Sequence, residues 1–257
     1  MSRQQQAIRA ACLWLICVFA YRAQAVCTTQ DGRLSEGISV NVPHYVGMHL
    51  LIRRKGDHPD IGHLSFPSTT VTLFKPIFQK AFLHKVLDLH NEIKHMRVWS
   101  GSRYVTLMDM CYRQTNVSKK CVTPSLLEYY QAVHKNIDKQ KMDYYNFFIE
   151  ADYLDHFLSC ARNPAAANDG TRLNMSCIST YNQPVPAPTV LCGYTGDQFD
   201  RSTHLILTYI FRDPKLSKTS RKWTKGLRTM LKSAITQDMD IHVYESGSGY
   251  TRGPLKL

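Results

Sequence analysis

Three features of the sequence predict an α+β fold. There are two strand–helix–strand stretches, a long cysteine-bounded segment between them, and one-sided apolar spacing in the helical parts. Tyr45 to Arg53 is apolar and strand-like. Phe78, Phe82, Val86, Leu89, Ile93 and Met96 then recur at steps of three and four, the buried stripe of an amphipathic helix. Pro76 suits the first turn of that helix. Arg103 to Met108 reads as a second strand. After the insertion, His204 to Phe211 is a run of Leu, Ile, Thr and Tyr, which predicts a buried strand. Trp223, Leu227, Met230, Leu231 and Ile235 mark a second helix, and Ile241 to Tyr244 closes the pattern as a strand. The order β-α-β, insertion, β-α-β predicts a ferredoxin-like split β-α-β sheet with both helices on one face. The insertion, about 109–198, is expected to be disulfide-bonded and partly helical, with helical patches near Ser125–His134 and Ala151–Cys160.

The ends read differently. Arg3 and Arg9 precede an apolar core from Ala10 to Tyr21, and Ala23-Gln24-Ala25 is a small-x-small cleavage site, so 1–25 is expected to be a signal peptide. The apolar run is too short to span a bilayer, which needs about 20 residues. Residues 26–44 carry no clear pattern and read as an extended leader, 45–246 as the domain, and 247–257 as a disordered tail. No later stretch approaches 18 consecutive apolar residues, so no membrane span is expected after the signal. Three loops stand out. His58 to Lys75 is broken by Pro59, Gly62 and Pro67 and is expected to be irregular. Asn136 to Phe148 turns abruptly aromatic at Tyr144, Tyr145, Phe147 and Phe148, and Asn163 to Asn174 is rich in small residues.

A signal peptide places the cysteines in an oxidising compartment. Of eight, Cys12 and Cys17 leave with the signal. The remaining six, Cys27, Cys111, Cys121, Cys160, Cys177 and Cys192, allow 15 connectivities. Local loop closure favours Cys111–Cys121 and Cys160–Cys177, since closing a loop of about 15 residues is worth roughly 3 kcal/mol in the chain-entropy account. Cys27 and Cys192 are then either paired or free. Asn116-Val117-Ser118 and Asn174-Met175-Ser176 are glycosylation sequons inside these cysteine-bounded loops.

The formal charge of +12 suits an acidic partner or an anionic surface. Nucleic acid does not fit behind a signal peptide. The basic residues are dispersed, with clusters only at Arg53-Arg54-Lys55 and from Lys215 to Arg228. No enzyme assembles from the remaining residues. His90 and His95 lie five apart, turned about 140° on a helix, whereas a zinc helix needs them four apart. Asp155 and His156 are adjacent and point apart on a helix. There is no G-x-S-x-G, phosphate loop or dinucleotide fingerprint, and no C-x-x-C to build a metal site. No catalytic residue, metal or cofactor is expected.

The cysteine-bounded segments carry the most specific signal. The first runs Val105-Thr106-Leu107-Met108-Asp109-Met110-Cys111 to Cys121, then Ser125-Leu126-Leu127-Glu128-Tyr129-Tyr130-Gln131. The second runs Ala151-Asp152-Tyr153-Leu154-Asp155-His156-Phe157-Leu158-Ser159-Cys160 to Cys177, then Tyr181-Asn182-Gln183-Pro184-Val185-Pro186 and Leu191-Cys192-Gly193-Tyr194. Together they resemble the middle luminal domain of the Niemann-Pick type C family of sterol transporters, related to Patched-type proteins, over roughly Tyr45 to Tyr244. The resemblance implies the two local disulfides, a luminal or secreted setting, and a role in cholesterol transport. It further implies that two protruding loops grip a small luminal sterol-carrier protein. Phe66-Pro67-Ser68 stands where the family has one tip, and Tyr145, Phe147 and Phe148, before Ala151-Asp152-Tyr153, stand at the other. Lys139, Lys141 and Arg53 would steer an acidic partner. The sequence departs from the family at Tyr145 and Asn146, where acidic residues stand, at Thr69-Thr70-Val71 after Ser68, and at Cys192, where glycine is usual. The alternative expectation is a secreted basic glycoprotein that binds acidic receptors or glycosaminoglycan.

Overall fold

A computed structural model describes residues 44–65, 70–113, 119–235, 238–247 and 250–255, the last by backbone alone. The strands are β1 (Tyr45–Arg54), β2 (Ile61–Leu64), β3 (Val71–Phe74), β4 (Val98–Trp99), β5 (Tyr104–Val105), β6 (Lys141–Met142), β7 (Ile149–Ala151), β8 (Leu191–Cys192), β9 (His204–Arg212), β10 (Met239–Gly247) and β11 (Tyr250–Leu255). The helices are α1 (Lys80–His95), α2 (His134–Ile137), α3 (Tyr153–Arg162) and α4 (Lys218–Ala234). The main sheet has the order β11-β10-β1-β9-β8 and is antiparallel throughout. β1 lies at its centre, with Leu50 opposite Val243 on one side and Leu207 on the other. Both expected units therefore feed one sheet.

Alternation along the strands gives the sheet two faces. Met48, Leu50, Ile52, Leu207, Tyr209, Phe211, Ile241 and Val243 join the large core with the apolar stripes of α1 and α4. Trp223 of α4 meets Phe211 edge-on at 5.5 Å. The insertion shares this core. Phe157 of α3 packs on Phe78 at 4.7 Å and on Phe74 at 6.2 Å. On the opposite face, Leu51, Cys192, Ile206 and Tyr244 form a smaller cluster. His49 is buried there between Thr208 Oγ1 (2.9 Å) and Ser246 Oγ (2.7 Å), and burial lowers its pKa to about 3, so it is neutral.

Three expectations are corrected. Arg103–Met108 does not enter the sheet. Asp109 accepts from Thr106 N (2.8 Å) and Thr106 Oγ1 (3.0 Å) and pairs with Arg103 (3.0 Å), which curls Leu107–Asp109 into a 3-10 turn. Only Tyr104–Val105 stays extended, paired with β4, and the chain reaches the edge of β9 later, at Cys111 opposite Phe211. The sheet thus departs from the expected split plan at this strand. Within His58–Lys75, β2 and β3 form a regular hairpin with Leu64 opposite Val71. Beyond 246, read as disordered, Tyr250–Leu255 pairs with β10 as an edge strand.

Leu89 sits in the core. Leu89→Ala is expected to destabilise by about 2–5 kcal/mol, read by urea unfolding, because the site cannot collapse fully around the lost atoms. A loss below about 1 kcal/mol would place it on the surface.

The two local disulfides are present, with Cα separations of 5.5 Å for Cys111–Cys121 and 5.2 Å for Cys160–Cys177. Cys192 is disulfide-bonded too, and Cys27 lies outside the described residues. The next residue, Gly193, has φ +82°, and a Cβ there would stand 2.0 Å from Thr203 Oγ1, so only glycine makes this turn. Non-reducing peptide mapping is expected to join Cys192 to Cys27. A free Cys27 thiol in the mature chain would refute that pairing.

Candidate docking site at two hairpins

The aromatic cluster expected to bind a partner forms the tip of the β6–β7 hairpin. Tyr144 is 91% exposed and Phe147 84%, with Tyr145 and Phe148 also exposed. Tyr145 meets Tyr144 edge-on at 5.1 Å and lies over Phe147 at 6.1 Å. The chain holds these rings outward by a local device. Asp143 Oδ1 accepts from the N–H groups of Phe147 (2.6 Å) and Phe148 (3.0 Å), and Oδ2 accepts from Tyr145 N–H (3.2 Å). Asn146 adopts the left-handed conformation, φ 57°, that asparagine tolerates. Desolvation pushes the Asp143 carboxyl upward, but the amides of Phe148, Tyr145 and Phe147 outweigh it and hold its pKa below the usual carboxylate range. The ordering contribution is therefore present above about pH 3.9 and fades only as pH falls through the lower native value. The tip therefore keeps its shape at mildly acid pH.

The other expected tip, Phe66-Pro67-Ser68, lies outside the described residues. Its root is described. β2 places His63 against the start of α3, with Nε2 3.1 Å from Asp155 Oδ1 and Nδ1 3.8 Å from Asp152 Oδ2. Ser65 also bonds Asp155. Asp152 and Asp155 form the capping box of α3, which follows directly from β7. One histidine thus ties the roots of the two hairpins together.

Burial pulls the His63 pKa down, but the carboxylates of Asp155, 3.1 Å away, and Asp152 outweigh it and raise the pKa above the ordinary imidazole value. Burial raises Asp152. At Asp155 burial also pushes upward, but the His63 and Ser65 bonds win and lower it. A raised histidine contributes stability that is complete below about pH 6.5 and is lost as pH rises through the native value. His63→Gln is therefore expected to cost more stability near pH 6 than near pH 8, on a wild-type profile that the buried neutral His49 and His90 tilt the other way. An unchanged pH profile in that variant would sink the assignment.

His63 was not singled out by the sequence. Nothing local in the sequence pairs position 63 with position 155. The residues weighed for zinc part company: His90 is buried against Tyr209 (2.9 Å) and pushed down to about pKa 3, mainly by burial, while His95 bonds Asn91 O on the surface (2.8 Å). His156 is buried and bonds Asp169 (2.6 Å), away from solvent. Of the expected steering cations, Arg53 pairs with Asp240 (2.9 Å) and Lys139 binds Leu173 O (2.7 Å), which leaves Lys141 exposed at the root of the aromatic tip. Asn174 is exposed in its loop, and Asn116 lies outside the described residues.

The sequence matches the family described as "NPC1, middle luminal domain" over residues 42–246. The chain belongs to this family. NPC intracellular cholesterol transporter 1 of Sus scrofa is 31% identical over 204 residues, 77% of this chain and 16% of that protein. NPC1-like intracellular cholesterol transporter 1 of Homo sapiens is 30% identical over 172 residues, 60% of this chain and 12% of that protein. NPC intracellular cholesterol transporter 1 homolog 1 of Caenorhabditis elegans is 24% identical over 182 residues, 64% of this chain and 13% of that protein. The chain thus spans less than a fifth of the length of these relatives. No helix among the described residues is long and apolar enough to cross a membrane.

Proposed function

We propose that this NPC1-type middle luminal domain acts in sterol transport by docking a small luminal sterol-carrier protein on its two hairpin tips. The observation that carries this reading is the β6–β7 tip, where Tyr144, Tyr145, Phe147 and Phe148 are held in water by the bonds of Asp143. Large apolar rings left exposed together mark interaction sites. Rings already fixed by backbone bonds lose little conformational freedom on binding. Phe66-Pro67-Ser68, which stands between β2 and β3 in the sequence, is the second contact of this reading. The setting is the lumen of the secretory and endolysosomal pathway, and the relatives' names point to cholesterol as the transported lipid.

The test is binding of the protein to an immobilised small luminal sterol carrier, sterol-loaded and empty, at acidic and neutral pH. Saturable binding that soluble carrier competes away is the expected result. No binding in any of the four conditions would overturn docking and leave the family membership untouched.

A further inference from the structure

We propose that the outer face of α4, with the β4–β5 hairpin beside it, is a docking surface for an anionic lipid bilayer. The helix reads KTSRKWTKGLRTMLKSA, with six basic residues and no acidic one. Lys218, Arg221, Lys222, Lys225 and Lys232 are all exposed. At 100° per residue they fall within an arc of about 100° and run about 21 Å along the axis. Trp223, Leu227 and Leu231 are buried on the opposite side. None of the five cations is ion-paired among the described residues, whereas Arg53, Arg54 and Arg201 each reach an aspartate. The stripe therefore presents uncompensated positive charge.

The hairpin supplies apolar groups beside that stripe. Trp99 and Tyr104 are both more than half exposed and meet edge-on at 5.2 Å. Two contacts hold the hairpin on the helix. Lys222 Nζ donates to Ser100 O at 2.5 Å, and Val98 packs on Gly226 so closely that a Cβ there would stand 2.8 Å from Val98 Cγ2. A glycine inside a helix costs about 1 kcal/mol relative to alanine, and this close approach is its structural reason. Leu216, just before the helix, is also more than half exposed. Indole and phenol rings beside lysines suit the headgroup boundary, where one end is apolar and the other wet. An exposed leucine gains from a bilayer and nothing from a polyanionic glycan, which favours lipid over an acidic polysaccharide.

Each basic residue near an anionic membrane contributes about fivefold in affinity. The test uses the protein expressed from its full sequence and sedimentation with phosphatidylcholine vesicles, with and without phosphatidylserine. Binding to the anionic vesicles alone is expected, with strong salt dependence. Lys218→Glu/Lys225→Glu/Lys232→Glu, whose side chains support no described contact, should weaken it by about 100-fold or more. Trp99→Ser/Tyr104→Ser should weaken it at unchanged charge. Both variants should keep carrier binding at the hairpin tips, which separates this surface from the docking reading. Equal binding to neutral vesicles, or full binding by the triple variant, would overturn the proposal. Retention on heparin without vesicle binding would overturn it in favour of an acidic glycan.

Discussion

Phe147→Ala combined with Phe148→Ala is expected to weaken carrier binding by about 30-fold or more while leaving the melting temperature within about 2 °C of wild type. Interface positions that matter typically cost 2 kcal/mol or more on truncation, and they are enriched in aromatic residues that partners desolvate. The loop should keep its shape, because Phe147 is almost fully in water and the Asp143 bonds come from backbone N–H groups, which alanine keeps; Phe147→Ala alone, at the ring that is 84% exposed, separates binding from any packing loss at the half-covered Phe148. Asp143→Ala offers an independent check. It leaves every ring in place but removes the acceptor for the N–H groups of Tyr145, Phe147 and Phe148. Binding should fall through lost preorganisation. Full binding by the double variant would show that the rings are not the anchor.

Asp169→Asn is expected to cost about 3–5 kcal/mol, read by urea unfolding. His156 and Asp169 are fully buried. The two His156 ring nitrogens lie 2.6 Å from Asp169 Oδ2 and 2.8 Å from Tyr129 O. Asp169 also accepts from Thr171 N (2.9 Å) and Thr171 Oγ1 (2.8 Å), and Ser159 Oγ donates to its carbonyl. Asparagine replaces one accepting oxygen with an N–H donor, so a buried group that bonded the carboxylate is left without its acceptor. Because folded domains hold only about 5–15 kcal/mol in total, this variant should secrete poorly at 37 °C. His156→Leu/Asp169→Leu should recover a large part of the loss, since replacing both partners leaves neither side of this bond unsatisfied. A cost below about 1 kcal/mol for Asp169→Asn would show that the pair contributes nothing to stability.

Both sites show how much was readable in one dimension. The spacing from Phe82 to Ile93 and from Trp223 to Leu231 located α1 and α4, because a helix that buries one face repeats its apolar residues every three to four positions. The runs at Tyr45 and His204 located β1 and β9, the two most apolar strands of the sheet. Loop closure between near cysteines located both local disulfides, since sequence proximity limits where a short loop can close. The aromatic cluster at Tyr144 to Phe148 was also visible as composition.

Tertiary structure decided the rest, because the deciding contacts join residues far apart in the chain. Arg103–Met108 had strand character, but the local bonds of Asp109 and the position of Cys111 on β9 took its place at the sheet. The prolines and glycine of 58–75 signalled breaks, yet β2 and β3 pair within the segment, and its His63 meets Asp155, 92 positions away. The aromatic run looked equally like buried core, and only its place at the tip of the β6–β7 hairpin left the rings in water. Period and loop length are local quantities and the sequence carries them directly. Which pair of distant groups meets is set by the competition of many burials at once, and that is settled only in the folded chain.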